Sequence, residues 1–179
     1  VGAGCTSVNS HQATCSNSGV TSVYARLMDQ NDTMTSSSAT PATVFGGAGN
    51  DTITTGSGAD TLDGELGNDV FNGGSGSDTV SYESRTANVT VTINGTANDG
   101  ASGETDNVKT DIENVVGGSG NDVITGSTAV NNLAGKGGND TLDGGSGNDV
   151  LRPGLGTDTV TGNSGTDVAD AIESRGGAI

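Results

Sequence analysis

The chain has 179 residues, of which 32 are glycine, only 2% are aromatic and 30% are hydrophobic. That leaves too little apolar volume for an ordinary globular core. Six Lys and Arg against 22 Asp and Glu give a net charge of -16, the wrong sign for phosphate backbones or anionic lipid headgroups, so no nucleic acid or membrane surface is expected as a partner. Cations are the natural ones. No apolar run of about 18 residues is present to insert in a membrane. The first residue is Val1, which is compatible with removal of an export signal.

In chain order, a segment over residues 1–18 carries both cysteines, Cys5 and Cys15, and an exported chain with two cysteines suggests one disulfide, within the chain or between chains. His11 is the one imidazole and reads as an exposed loop residue. Residues 19–45 read as a worn first coil and its loop, with Val20, Val23, Tyr24 and Leu27 leading into Asp29 and Asp32. Asp32 lies 19 positions before Asp51.

Residues 46–81 repeat one nine-residue phrase four times: GGAGNDTIT, TGSGADTLD, GELGNDVFN and GGSGSDTVS. In its first six positions, Gly-Gly-x-Gly-x-Asp, glycine supplies positive φ and close backbone approach. The last three form a minimal strand. The eighth position is apolar in Ile53, Leu62, Phe71, Val80, Ile124, Leu133, Leu142, Leu151 and Val160, which gives one inward side chain per repeat. Two repeats make an 18-residue coil with a strand and a loop on each side, so the expected fold is all-β, a right-handed parallel β-roll or β-solenoid. Stacking sets Asp51 over Asp69 and Asp60 over Asp78. Carboxylates at strand spacing, about 4.8 Å, repel unless a cation lies between them, and calcium accepts such oxygen ligands in flexible geometry.

Residues 82–116 interrupt the repeats. Within 88–94 the alternation of Val89, Val91 and Ile93 with Thr90 and Thr92 predicts a longer strand with one buried face. The following acidic loop, with Asp99, Glu104, Asp106 and Asp111, is either an extra calcium site or a solvated surface, and the solenoid is expected to run through the whole segment. A second repeat block over 117–170 contains one degenerate copy, in which Asn131 replaces the aspartate and Ala129 a glycine. Its site should be weak or absent. The tail over 171–179 would cap the roll or pair with another chain.

At these nonapeptides the chain resembles the RTX, or hemolysin-type, calcium-binding repeat family of secreted bacterial proteins. The resemblance implies that a calcium between two stacked loops takes the carbonyls of Gly46 and Ala48 with Asp51, and those of Glu65 and Gly67 with Asp69. Carried along the chain, Thr55, Ser57 and Asp60 face Gly74, Gly76 and Asp78. Gly117, Ser119 and Asp122 face Lys136, Gly138 and Asp140, and Gly135, Gly137 and Asp140 face Gly154, Gly156 and Asp158. Gly144, Ser146 and Asp149 face Asn163, Gly165 and Asp167, while Gly145 and Gly147 face the degenerate copy. With Asp29 and Asp32 as a further pair, roughly six or seven calcium ions are implied.

HExxH, GxSxG, P-loop, CxxC and EF-hand patterns are absent, and the periodic aspartates read as metal ligands, so no enzyme is expected. Three uses of such a rod are consistent with the sequence. One is a secreted structural protein, a fibre subunit or adhesive matrix whose copies join end to end. The second is a calcium-folding accessory module of a larger secreted enzyme, toxin or adhesin. The third, an ice-binding solenoid, needs a regular outward array, which the third loop position (Ala48, Ser57, Leu66, Ser75) does not supply.

Overall fold

A computed structural model describes residues 5–9, 12–15 and 21–170. His11, Val20 and the proposed tail at 171–179 lie outside the described residues. Short strands follow from the repeat, because each nonapeptide offers only three residues before the next glycine. In chain order they are β1 (Cys5–Asn9), β2 (Gln12–Cys15), β3 (Val23–Asp29), β4 (Thr33–Ser36), β5 (Ala42–Ala48), β6 (Thr52–Thr54), β7 (Thr61–Leu66), β8 (Val70–Asn72), β9 (Thr79–Ser81) and β10 (Val89–Thr92). The remainder are β11 (Gly100–Ala101), β12 (Asn107–Val108), β13 (Asn114–Val116), β14 (Val123–Thr125), β15 (Asn132–Gly137), β16 (Thr141–Asp143), β17 (Val150–Leu155), β18 (Thr159–Thr161) and β19 (Val168–Ala169). No helix occurs among the described residues, so none is long and apolar enough to cross a membrane.

The strands form the parallel β-roll that the period implies. One face is a continuous eight-stranded sheet, β19-β17-β15-β13-β9-β7-β5-β3. The other face is divided into a six-stranded sheet, β1-β2-β4-β6-β8-β12, and a five-stranded sheet, β11-β10-β14-β16-β18. Pairing is parallel except at β1–β2 and β10–β11. At the first of these, Cys5 and Cys15 are Cα partners.

Register places the eighth-position residues in two columns. Met34, Ile53, Phe71 and Val108 stack on the divided face, followed by Val91, Ile124, Leu142 and Val160. Opposite them run Val44, Leu62, Val80, Val115, Leu133 and Leu151. All but Val160 are at most 1% exposed, so two single-file ladders make up most of the core. A parallel strand has this one inward position per three residues because side chains alternate across the sheet.

The worn first coil stacks as the sequence indicates, with Met34 opposite Ile53 and the amide of Asp32 bonded to the Asp51 carboxylate across 19 positions. Residues 82–116 supply one complete rung and part of another. β12 and β13 stack on β8 and β9, and β10 is inserted as an extra rung under β14. β10 has the expected buried face of Val89 and Val91, but it is four residues long, only one more than most repeat strands, because the chain turns away after Thr92.

Each side chain in a ladder touches chiefly the rung below and above, so a core deletion should weaken its neighbours before distant coils. Phe71→Ala, which also removes an edge contact with Tyr82 at 6.5 Å between centroids, should lower stability by about 3–5 kcal/mol. Urea unfolding at saturating calcium measures it.

Candidate metal centre

The loops are shaped by close approach of one coil to the next. At the fourth position a Cβ on Gly67 would lie 1.7 Å from Gly49 O, and one on Gly156 would lie 1.6 Å from Gly138 O. Both residues have φ near the mirror of the extended region, 143° and 145°, so only glycine fits. The first position differs. Its glycines are not left-handed, and a Cβ on Gly46 would meet the flexible end of Asp51, Oδ2, at 2.3 Å. Thr55 and Pro153 stand at this position, where no positive φ is required, and Thr55 Oγ1 donates to Gly73 O at 2.9 Å. The second position holds Glu65, Lys136 and Asn163 at positive φ.

The sixth-position aspartates divide their two oxygens between different tasks. The amide N–H of Asp51 donates to Asp69 Oδ1 at 2.8 Å, that of Asp60 to Asp78 Oδ1 at 2.9 Å, and that of Asp122 to Asp140 Oδ1 at 2.8 Å. The same bond joins Asp140 to Asp158 and Asp149 to Asp167. The second oxygen, Oδ2, of Asp51, Asp60, Asp69, Asp78, Asp140 and Asp149 is buried and has no hydrogen-bond partner. An ionised carboxylate oxygen in that state is strongly unfavourable, and carbonyl oxygens stand near it: a Cβ on Gly46 would meet both Asp51 Oδ2 and Gly64 O, and one on Gly135 both Asp140 Oδ2 and Pro153 O. A cation is the partner that satisfies both. Among the described residues no three His, Cys, Asp or Glu side chains converge as a metal cluster, so most of the donors must be backbone carbonyls, as calcium accepts.

Burial has the expected electrostatic effect. Desolvation pushes Asp69 up to about 7 and Asp78 and Asp140 to about 6, opposed by the backbone hydrogen bond and reinforced by neighbouring aspartates. Asp51, Asp122 and Asp149 are raised for the same first reason.

Not every expected position takes this form. Asp122 Oδ2 accepts the N–H of Gly118 at 2.7 Å within its own loop. Beneath it the sixth position is Val89, whose N–H donates to Asp122 Oδ1 at 2.9 Å. The degenerate copy closes likewise, with Asn131 Oδ1 accepting the N–H of Ser127 at 2.6 Å. Asp158 and Asp167 are half-buried near the end of the described stack, whereas Asp29 is exposed at the third position, where only a carbonyl is directed into the loop. Asp32 is 3% exposed at the sixth.

The acidic loop fits neither of its two expected descriptions at Asp99 and Asp106, which are each 1% exposed and fully hydrogen-bonded by protein. Asp99 accepts the N–H groups of Thr92 and Val108, at 2.7 and 2.9 Å. Asp106 Oδ1 takes the N–H of Asp69 at 2.8 Å, as a sixth-position residue does, but its Oδ2 accepts the Tyr82 hydroxyl at 3.0 Å. Glu104 is held in a fork by Arg85, at 3.0 and 3.1 Å. Tyr82 thus occupies the role that a cation would have elsewhere. Its single occurrence gave no periodic signal to find it by.

A second unassigned feature is the fifth-position asparagine. Asn50 Oδ1 accepts the N–H of Asn68 at 3.0 Å, Asn121 Oδ1 that of Asn139 at 2.7 Å, and Asn148 Oδ1 that of Thr166 at 2.9 Å. This outer ladder was visible as the recurring Asn-Asp pair, but a polar residue in a glycine loop carries no mark of its partner.

Two outcomes follow from this geometry. Tyr82→Phe strands Asp106 Oδ2 and should lower stability by about 1–3 kcal/mol, read in denaturant with calcium present. Carboxyl groups raised above their unfolded value of about 3.9 bind protons more tightly when folded, so they favour the metal-free roll at low pH and cease to do so as pH rises through about 6 to 7. With chelator present, circular dichroism should therefore show more β-structure at pH 5 than at pH 8. Equal signals would remove burial of the ionised aspartates, with their mutual repulsion, as the cause.

The profile of the RTX calcium-binding nonapeptide repeat matches the chain in four copies, over residues 45–80, 110–135, 125–160 and 135–169, together just over half its length. No curated protein matches it. Phased glycines, stacked carbonyls and sixth-position carboxylates agree with that profile, and this chain belongs to the RTX calcium-binding nonapeptide repeat family.

Proposed function

We propose that this chain is a secreted structural protein, not an enzyme, whose roll is folded and made rigid by extracellular calcium. The observation that carries the reading is the series of buried, partnerless Oδ2 atoms at the sixth loop position. Calcium supplies a hard double charge that accepts carboxylate and carbonyl oxygens together. Binding free energy then becomes folding free energy, since the carboxylates repel and the apolar ladders are thin without it. Roughly six or seven ions would offset most of the net charge of -16. Export fits the same physics, because repeats of this family are typical of secreted proteins and low cytosolic calcium keeps such a chain unfolded until it is outside.

End-to-end assembly into a fibre or surface matrix is supported by the sheet order. β3 and β19 terminate the eight-stranded sheet, and among the described residues neither has a partner on its outer edge. Unpaired parallel edges invite strand addition. The register that sets Cys5 opposite Cys15 supports an intrachain disulfide, since paired strand residues lie at about 4.5–5.5 Å between Cα atoms, within disulfide range.

Circular dichroism with and without chelator at neutral pH tests calcium-driven folding. Loss of the β-signal on chelation is expected, and its full persistence would sink the reading. Light scattering at saturating calcium tests assembly: growth with protein concentration supports the fibre, whereas a stable monomer supports an accessory module of a larger secreted protein. An unchanged mass on thiol alkylation without reductant supports the disulfide.

A further inference from the structure

We propose that Asp78 and Asp111 form an additional divalent-cation site outside the nonapeptide pattern, positioned by Glu113, where the first repeat block meets the irregular segment. The site rests on the calcium reading of the regular loops, to which Asp78 already belongs, and adds Asp111 and Glu113, to which that reading assigns no role.

Register identifies the place. In the repeats, the amide following the sixth position donates to the sixth-position carbonyl one coil earlier, as Val70 N–H does to Asp51 O and Thr79 N–H to Asp60 O. Asn114 N–H makes this bond to Asp78 O at 2.9 Å, and Asn132 N–H makes it to Glu113 O at 3.1 Å. Glu113 is therefore the sixth residue of a loop that carries no glycine. Its Oε2 accepts the N–H of Asp78 at 2.9 Å across 35 positions, the task that an aspartate Oδ1 performs across 18 positions elsewhere.

Two residues earlier stands a carboxylate that no regular loop has. Asp111 Oδ2 accepts the N–H of Gly74 at 2.8 Å, and its Oδ1 is buried without a partner. Asp78 is 0% exposed, and its Oδ2 is likewise without a partner. That oxygen lies 2.6 Å from where a Cβ on Gly73 would stand, so the two carboxylates converge on the Gly73–Gly74 peptide. Burial and the like charges of Asp60, Glu113 and Asp111 all act against ionisation of Asp78, and none of these carboxylates is paired with Lys or Arg among the described residues. Two buried oxygens with no proton donor, beside a loop rich in carbonyls, suit a hard divalent ion with oxygen ligands. Calcium fits better than magnesium, which demands near-octahedral geometry and keeps its waters. With Glu113 adjacent, the site carries more negative charge than a regular pair of loops, and ligand charge raises calcium affinity.

Equilibrium dialysis at saturating calcium gives the ion count. Asp111→Ala should bind one ion fewer per chain than the parent protein, and an unchanged count would overturn the site. Crystals of the unsubstituted protein grown with calcium provide a test that needs no variant to fold. An anomalous peak within about 2.6 Å of both Asp78 Oδ2 and Asp111 Oδ1 is expected. Peaks in the regular loops with none here would reject this site alone, whereas no peaks anywhere would reject the calcium reading with it.

Discussion

The structure depends on a carboxylate that is buried for one oxygen's sake. At the sixth loop position, Oδ1 bonds the backbone of the coil before it, which fixes the stacking register, and that bond carries Oδ2 into the interior where no protein donor reaches it. Protonating Oδ2 would relieve the problem while Oδ1 still accepts, but only at low pH. A cation balances Oδ2 near neutral pH and leaves the register bond intact.

From this constraint the rest of the chain acquires its composition. Coils close enough to share a carboxylate leave no room for a Cβ at the fourth position, as the approach of Gly67 to Gly49 O shows. Short loops leave three residues for most repeat strands, and three residues supply one inward side chain. Phe71 and Leu62 therefore belong to ladders and not to a three-dimensional core, and each makes its contacts with the coils beside it. A roll of this kind has little stability to spare from apolar burial.

The middle of the roll departs from that rule. Around residues 82–116, hydrogen bonds replace the cation: Tyr82 to Asp106, Gly118 to Asp122, Arg85 to Glu104, and both oxygens of Asp99 to backbone amides. The divided face also changes sheets here, from β12 to β10. The two runs of partnerless carboxylates, Asp51 to Asp78 and Asp140 to Asp149, are thus separated by a section in which the protein satisfies Asp99, Glu104 and Asp106 by itself and leaves Asp111 Oδ1 without a partner.

Periodicity alone determined the roll, the 18-residue coil, the inward ladder and the sixth-position carboxylates, because each nonapeptide imposes the same local geometry and identical units stack in only one register. It also placed Asp32 in the first coil, through the spacing to Asp51. Tertiary structure decided what happens where the period fails. Asp99, Asp106 and Asp111 are alike in sequence as acidic residues of a polar loop, and Glu113 follows them at the start of the next strand pattern. Two are satisfied internally, one positions a loop, and one retains an oxygen without a partner, because each faces a different rung of the repeats. Which donor lies opposite a carboxylate depends on contacts across 35 or 37 positions, and no local pattern encodes them.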